Sequence, residues 1–154
     1  MRAFCVLLAI SMMGSLPTEG FAPGYLGYDP EADPAEDLEL AVEEAARDGK
    51  RIILLVGGEW CIWCKILQDF LVQNRDIKQQ WEENYITIKV YFGPENQNES
   101  FLSQYPQIKG YPHLFVLDAD GRLLHSQRTA ELESRQSYSK KKVTTFLESW
   151  KPRS

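Results

Sequence analysis

The sequence predicts an α/β domain, on three observations. Residues 51–56 (RIILLV) are a short, almost wholly apolar run with β-branched members, which suits a central strand covered on both faces. Segments with apolar residues at helical spacing alternate with such runs along the chain. At 118–121 the tetrapeptide DADG joins two strand-like stretches as a hairpin turn, so part of the sheet runs antiparallel.

The elements follow in chain order. Residues 23–36 (PGYLGYDPEADPAE), rich in Pro, Gly and acids, read as an extended lead-in. Asp37 is a suitable N-cap, and Leu38, Ala41, Val42, Ala45 and Ala46 repeat at helical spacing until Asp48-Gly49 stops them. The strand 51–56 comes next and ends at Gly57-Gly58. Ile66, Leu67, Phe70 and Leu71 then resume a helical period to about residue 74, and 76–83 make a second helical piece. A strand is expected over 85–92 (YITIKVYF), a polar loop over 93–100, and a short helical turn at 101–105. Residues 114–117 and 122–126 are the two hairpin strands, and Val143, Phe146, Leu147 and Trp150 share one face of a closing helix.

The chain has 154 residues, 44% hydrophobic and 25% charged, which is one domain's worth of soluble globular protein. Residues 1–22 are set apart: Met1-Arg2 is a short basic start, 3–14 is apolar and too short to span a bilayer, and 15–22 turns small and polar. That is the layout of an export signal. Cys5 falls inside the apolar run and reads as filler that is lost with it. The domain is expected over 37–151. A net charge of -5, with acids crowding the N-terminal part and no basic block interleaved with aromatics, lacks the electrostatic footprint of a nucleic-acid binder.

Residues 59–65 (EWCIWCK) hold the only two cysteines left after such a signal is removed. Exported proteins stapled by disulfides carry several pairs at wider spacing. Two thiols three positions apart can hold a metal, close a structural disulfide or exchange disulfides. Zinc wants four ligands, and the only histidines, His113 and His125, are separated by eleven residues and lack the spacing of a zinc pair. A structural disulfide across so short a loop restricts the unfolded chain little. Redox exchange is favoured, because the motif opens a helix and unpaired backbone N–H groups there stabilise a thiolate. Cys61, at the helix end, is then the attacking thiol, and Cys64, one turn in, resolves the mixed disulfide.

The strand 51–56, the Trp-Cys-x-x-Cys-Lys motif opening a helix, and Gly110-Tyr111-Pro112 ahead of the hairpin 113–126 together resemble the thioredoxin superfamily, over roughly 37–151. Within it, the export signal, the helix before the first strand and the aromatic Trp63 look most like the periplasmic Dsb-type oxidoreductases. The resemblance implies a thioredoxin fold, a central mixed β-sheet flanked by helices. It implies thiol-disulfide exchange with protein substrates, no cofactor beyond the Cys61-Cys64 dithiol, and a membrane thiol carrier that recharges the enzyme. It also implies that Pro112 is cis and lies beside the cysteines, with Tyr111 lining a substrate groove.

Trp60, Ile62 and Trp63 are expected to form an apolar rim that contacts substrate, although Trp63 shares a helical face with Ile66, Leu67 and Phe70 and core packing is the competing role. Thioredoxins carry a buried acid on the strand before the motif, and Leu55 stands there instead. Glu59, or water, is left to move the proton of Cys64, with Lys89 at a position that neighbours the missing acid. Both residues between the cysteines are uncharged, so mainly the helix terminus acts on the Cys61 thiolate, which predicts a reductase rather than a disulfide-forming oxidase. An isomerase or oxidase is the alternative, and a non-enzymatic binding module a third. No dimerisation region is visible, so a monomer is expected.

Overall fold

The computed structural model describes residues 27–153. The expected export signal over 1–22, Cys5 and the first part of the lead-in lie outside the described residues. Four strands make a mixed sheet in the order β2-β1-β3-β4: β1 (Arg51–Gly57), β2 (Tyr85–Tyr91), β3 (His113–Leu117) and β4 (Leu123–Arg128). β1 runs parallel to β2, with Leu55 opposite Lys89, and antiparallel to β3, with Leu55 opposite Leu114. β3 and β4 form the expected hairpin, closed at Gly121, whose φ of +83° suits a residue without a Cβ.

Alternation along β1 sorts the core into two layers. Ile52, Leu54 and Val56 face Ala41 and Ala45 of α1 (Pro34–Asp48) and Phe101 of α4 (Glu99–Leu102). Ile53 and Leu55 face the other way, toward Leu67 and Phe70 of α2 (Ile62–Gln73), Ile77 and Trp81 of α3 (Arg75–Asn84), and Val143, Phe146 and Leu147 of α5 (Lys140–Trp150). Both faces of β1 and β3 are covered, which is why their sequences are apolar runs instead of alternating ones.

Two expectations need correcting. α1 starts at Pro34, not after Asp37: Asp33 caps it by accepting from the Ala35 amide, and Pro34 occupies the first turn, where its missing N–H costs nothing. The extended lead-in is therefore shorter than residues 23–36, and Asp37 is a buried helical residue. The polar connection before α5 is structured as well: a 3₁₀ turn (Thr129–Leu132) leads into a two-stranded ribbon, β5 (Glu133–Ser134) and β6 (Ser137–Tyr138). β6 brings Tyr138 down onto α2, where it joins the core with Phe70 and Trp63.

Candidate active site

β1 ends at Gly57, the chain turns through Gly58 to Trp60, and α2 begins at Ile62 with Cys61 as its N-cap. The backbone at Cys61 is extended, and its sulfur accepts the Cys64 amide hydrogen at 3.2 Å. A Ser, Thr, Asp or Asn usually fills that place with an oxygen, so here a sulfur holds the position that best receives negative charge. The first turn of α2 carries no acid to oppose it. Cys61 and Cys64 are joined as a disulfide and are only 4% and 7% exposed.

Around the sulfurs lies an aromatic cluster drawn from three loops. The Trp60 indole N–H donates to the Phe92 carbonyl at 2.7 Å, just past β2. Gly58 makes this possible, since a Cβ there would sit 2.5 Å from the indole nitrogen. Trp60 also meets Tyr111 edge to face at 5.6 Å, and Tyr111 stacks on Phe92 at 4.7 Å. Tyr111 thereby ties the motif to the loop ahead of β3, where the Tyr111-Pro112 bond is cis. The Pro112 carbonyl accepts from the Thr129 hydroxyl at 2.6 Å. Trp60 and Ile62 are 52% and 65% exposed, so apolar surface flanks the disulfide.

Trp63 divides from that rim. It is half-buried, packs on the core of the α2 face and meets Tyr138 edge to face at 5.8 Å, while the Tyr138 hydroxyl donates to its carbonyl. Glu59 is exposed in the loop before the motif. Lys89 is half-buried on β2 beside Leu55, as its register predicts.

Two further groups lie near the site: sequence reasoning missed Tyr28 and weighed His113 only as a metal ligand. Tyr28, in the lead-in, reaches under the motif: its hydroxyl is buried without a hydrogen-bond partner among the described residues, and the Lys89 ammonium sits 5.5 Å from its ring centre. Burial first, then the Glu59 carboxylate and Tyr138, hold its hydroxyl well above the ordinary tyrosine range. His113, next to Pro112, is buried with Nε2 against the Ser126 hydroxyl at 2.8 Å. Burial, helped by Arg128 and His125, pushes it down to about 4, so it is neutral near pH 7. No local signal marks either one, because each acts through a fold-level contact.

Among the described residues no three His, Cys, Asp or Glu side chains gather as a metal site would require. No helix among them is long and apolar enough to cross a membrane. A disulfide at a helix N-terminus, rimmed by exposed apolar groups, is chemically suited to thiol-disulfide exchange.

Residues 33–119 match a family described as thioredoxin-like. The chain belongs to that family, and its sheet order and the CxxC at the start of α2 agree with it. It is 30% identical over 98 residues to a disulfide bond reductase, DsbH, of Chlamydia pneumoniae, covering 58% of this chain and 58% of the relative. The chain thus spans less than two thirds of that relative's length. Among solved structures, a disulphide isomerase from Xylella fastidiosa Temecula1 superposes with a TM-score of 0.67 at 23% identity, over 79% of this chain and 94% of the other. The C-terminal domain of Neisseria meningitidis DsbD in its oxidised form superposes at 0.52 with 20% identity, over 77% and 94%. At those identities the two structures speak for the fold.

Proposed function

We propose that the protein is an exported, periplasmic thiol-disulfide oxidoreductase acting as a disulfide reductase on protein substrates. The observation that carries the reading is the Cys61-Cys64 disulfide at the N-cap of α2, with the Cys61 sulfur already accepting an amide hydrogen. In the reduced protein that amide and the helix dipole steady a Cys61 thiolate. The thiolate attacks a substrate disulfide, one substrate sulfur leaves as a thiolate, and a mixed disulfide forms. Cys64 then attacks the Cys61 sulfur, expels the second substrate thiolate and re-forms the disulfide. Two electrons pass to the substrate in each cycle.

Trp60, Ile62 and Tyr111 supply an apolar rim for flexible polypeptide, with the free edge of Trp63 beside them. Pro112 presents backbone next to the sulfurs for an extended substrate to pair with. Glu59 and Lys89 are the charged groups nearest the path of the Cys64 proton. The uncharged pair Ile62-Trp63 favours a reductase, and the relative named a disulfide bond reductase supports it. Recharging in an oxidising compartment calls for a membrane thiol donor, and the chain acts as a monomer.

The test adds reduced protein to a folded protein with an accessible disulfide. The unaltered chain releases free thiols; Cys64→Ser accumulates a covalent adduct that dithiothreitol cleaves; Cys61→Ser does neither. Undiminished thiol release by Cys61→Ser would sink the proposal, and an unaltered chain that releases no thiols would favour a non-enzymatic binding module.

A further inference from the structure

Leu55 leaves the inner face of the motif without the acid expected there, yet the space is not purely apolar. A cleft of about 480 Å³ runs below α2 and reaches Cys64, Leu55, Tyr28 and Lys89. Gly57 marks where two of these meet: a Cβ built on it would lie 2.4 Å from the Cys64 sulfur and 2.9 Å from the Tyr28 hydroxyl. The sulfur and the hydroxyl therefore face the same small volume. In the oxidised protein they do not hydrogen-bond, and the hydroxyl has no partner at all among the described residues. A buried hydroxyl without a partner is costly, and a reduced Cys64 sulfur facing it is a ready acceptor.

We propose that Tyr28 serves Cys64: when the disulfide opens, its hydroxyl donates a hydrogen bond to the Cys64 sulfur and steadies the thiolate that makes the resolving attack. This deepens the exchange mechanism above and rests on it. Tyr28 donates without releasing its proton, since burial holds its hydroxyl well above the ordinary range. The Cys64 proton leaves to water in the cleft. The thiolate then attacks the Cys61 sulfur, the bond from Cys61 to the substrate sulfur breaks, and the departing thiolate takes a proton from solvent. Tyr28 is thus the uncharged counterpart of a buried acid, with the difference that it stabilises the anion instead of collecting the proton.

The other charged or titratable groups facing this volume are Lys89 from β2, Glu59 from the loop before α2 and Tyr138 from β6. Farther along the cleft are Glu44, Lys50, Lys78, Glu82 and Tyr85. Only Lys89 among the nearer three favours an anion at Cys64, and its ammonium sits over the Tyr28 ring.

Tyr28→Phe removes one oxygen and keeps the ring. With Cys61→Ser as background, so that Cys64 is the only thiol of the domain, alkylation rate against pH reports the Cys64 titration. Tyr28→Phe is expected to move its midpoint up by about one pH unit, the size of one hydrogen bond to a charged group. In the chain with both cysteines, the equilibrium against glutathione shifts toward the disulfide by roughly three- to tenfold, because only the reduced form loses a bond. The melting of the oxidised protein does not fall, since no bond is lost there. An unmoved Cys64 midpoint in a folded Tyr28→Phe protein overturns the proposal. Should that variant not fold, the Tyr28 ring carbon resonances of the Cys61→Ser protein decide: they must titrate with the Cys64 midpoint, and their independence of it overturns the proposal equally. If Cys61 of the unaltered chain fails to attack any disulfide, the exchange mechanism falls, whereas the Cys64 titration still reads the Tyr28 contact.

Discussion

Gly57→Ala places a methyl group at the floor of the site. The new carbon would sit 2.4 Å from the Cys64 sulfur and 2.9 Å from the Tyr28 hydroxyl, both far inside van der Waals contact. The tyrosine is a side chain that can tilt, but the sulfur cannot yield while it is bonded to Cys61. In the reduced protein Cys64 is free to rotate and Tyr28 alone must shift. Overpacking a filled site by one methyl group costs about 1–3 kcal/mol, and here most of that falls on the oxidised form. The dithiol is then favoured by roughly 5- to 150-fold over the unaltered chain at 1.4 kcal/mol per tenfold. Equilibration with a glutathione series followed by thiol trapping gives that ratio, and melting of each redox form gives the two stabilities separately. Equal destabilisation of both forms, with the glutathione equilibrium unmoved, would refute the reasoning, because it would mean that the methyl group is accommodated by the backbone and not by Cys64.

Two further outcomes follow from the site. Trp60→Ala loses the bond to the Phe92 carbonyl and the edge contact with Tyr111, costing about 1–2 kcal/mol for a half-exposed side chain, and is expected to raise KM for a protein disulfide several-fold while turnover of a small aromatic disulfide changes less; Trp60→Phe recovers part of the stability, and equal losses on both substrates would remove the rim from substrate binding. For His113 the folded value of about 4 lies below the ordinary 6.5, so its contribution is fully present above pH 6.5 and is lost as pH falls toward 4. The loss amounts to about 3 kcal/mol, and His113→Asn is expected to flatten that part of a denaturant-measured stability profile; an unchanged slope between pH 6.5 and 4 contradicts it.

Much of the site was legible because the signals were local. An apolar run, a pair of glycines and a Cys-x-x-Cys ahead of a helical period place two sulfurs at a strand-to-helix junction, and β1, α2 and the cysteine N-cap stand where that pattern puts them. Gly110-Tyr111-Pro112 was readable by resemblance alone, since a proline before a strand says nothing by itself of a cis bond or of Trp60 across the loop. Trp63 shows how periodicity outweighs motif position: its helical face with Ile66, Leu67 and Phe70 is the core face, and Tyr138 covers it. Asp33-Pro34 was the better start signal for α1 than Asp37, because proline in the first turn fixes the boundary. Tyr28 was illegible in principle. It lies twenty-nine residues before Gly57 in a Pro- and Gly-rich stretch, and only folding brings its hydroxyl to the volume that the Cys64 sulfur also faces.

The central claim, that this disulfide works in the reducing direction, is tested most directly by the reduction potential of the Cys61-Cys64 pair against a glutathione series. Helix-terminus stabilisation without a charged residue between the cysteines predicts a potential near that of a thioredoxin, about -270 mV, so that the pair is found as the disulfide except in strongly reducing buffers. A pair that stays reduced even in weakly reducing buffers, with a potential near about -120 mV, would mark a disulfide-forming oxidant and contradict the account.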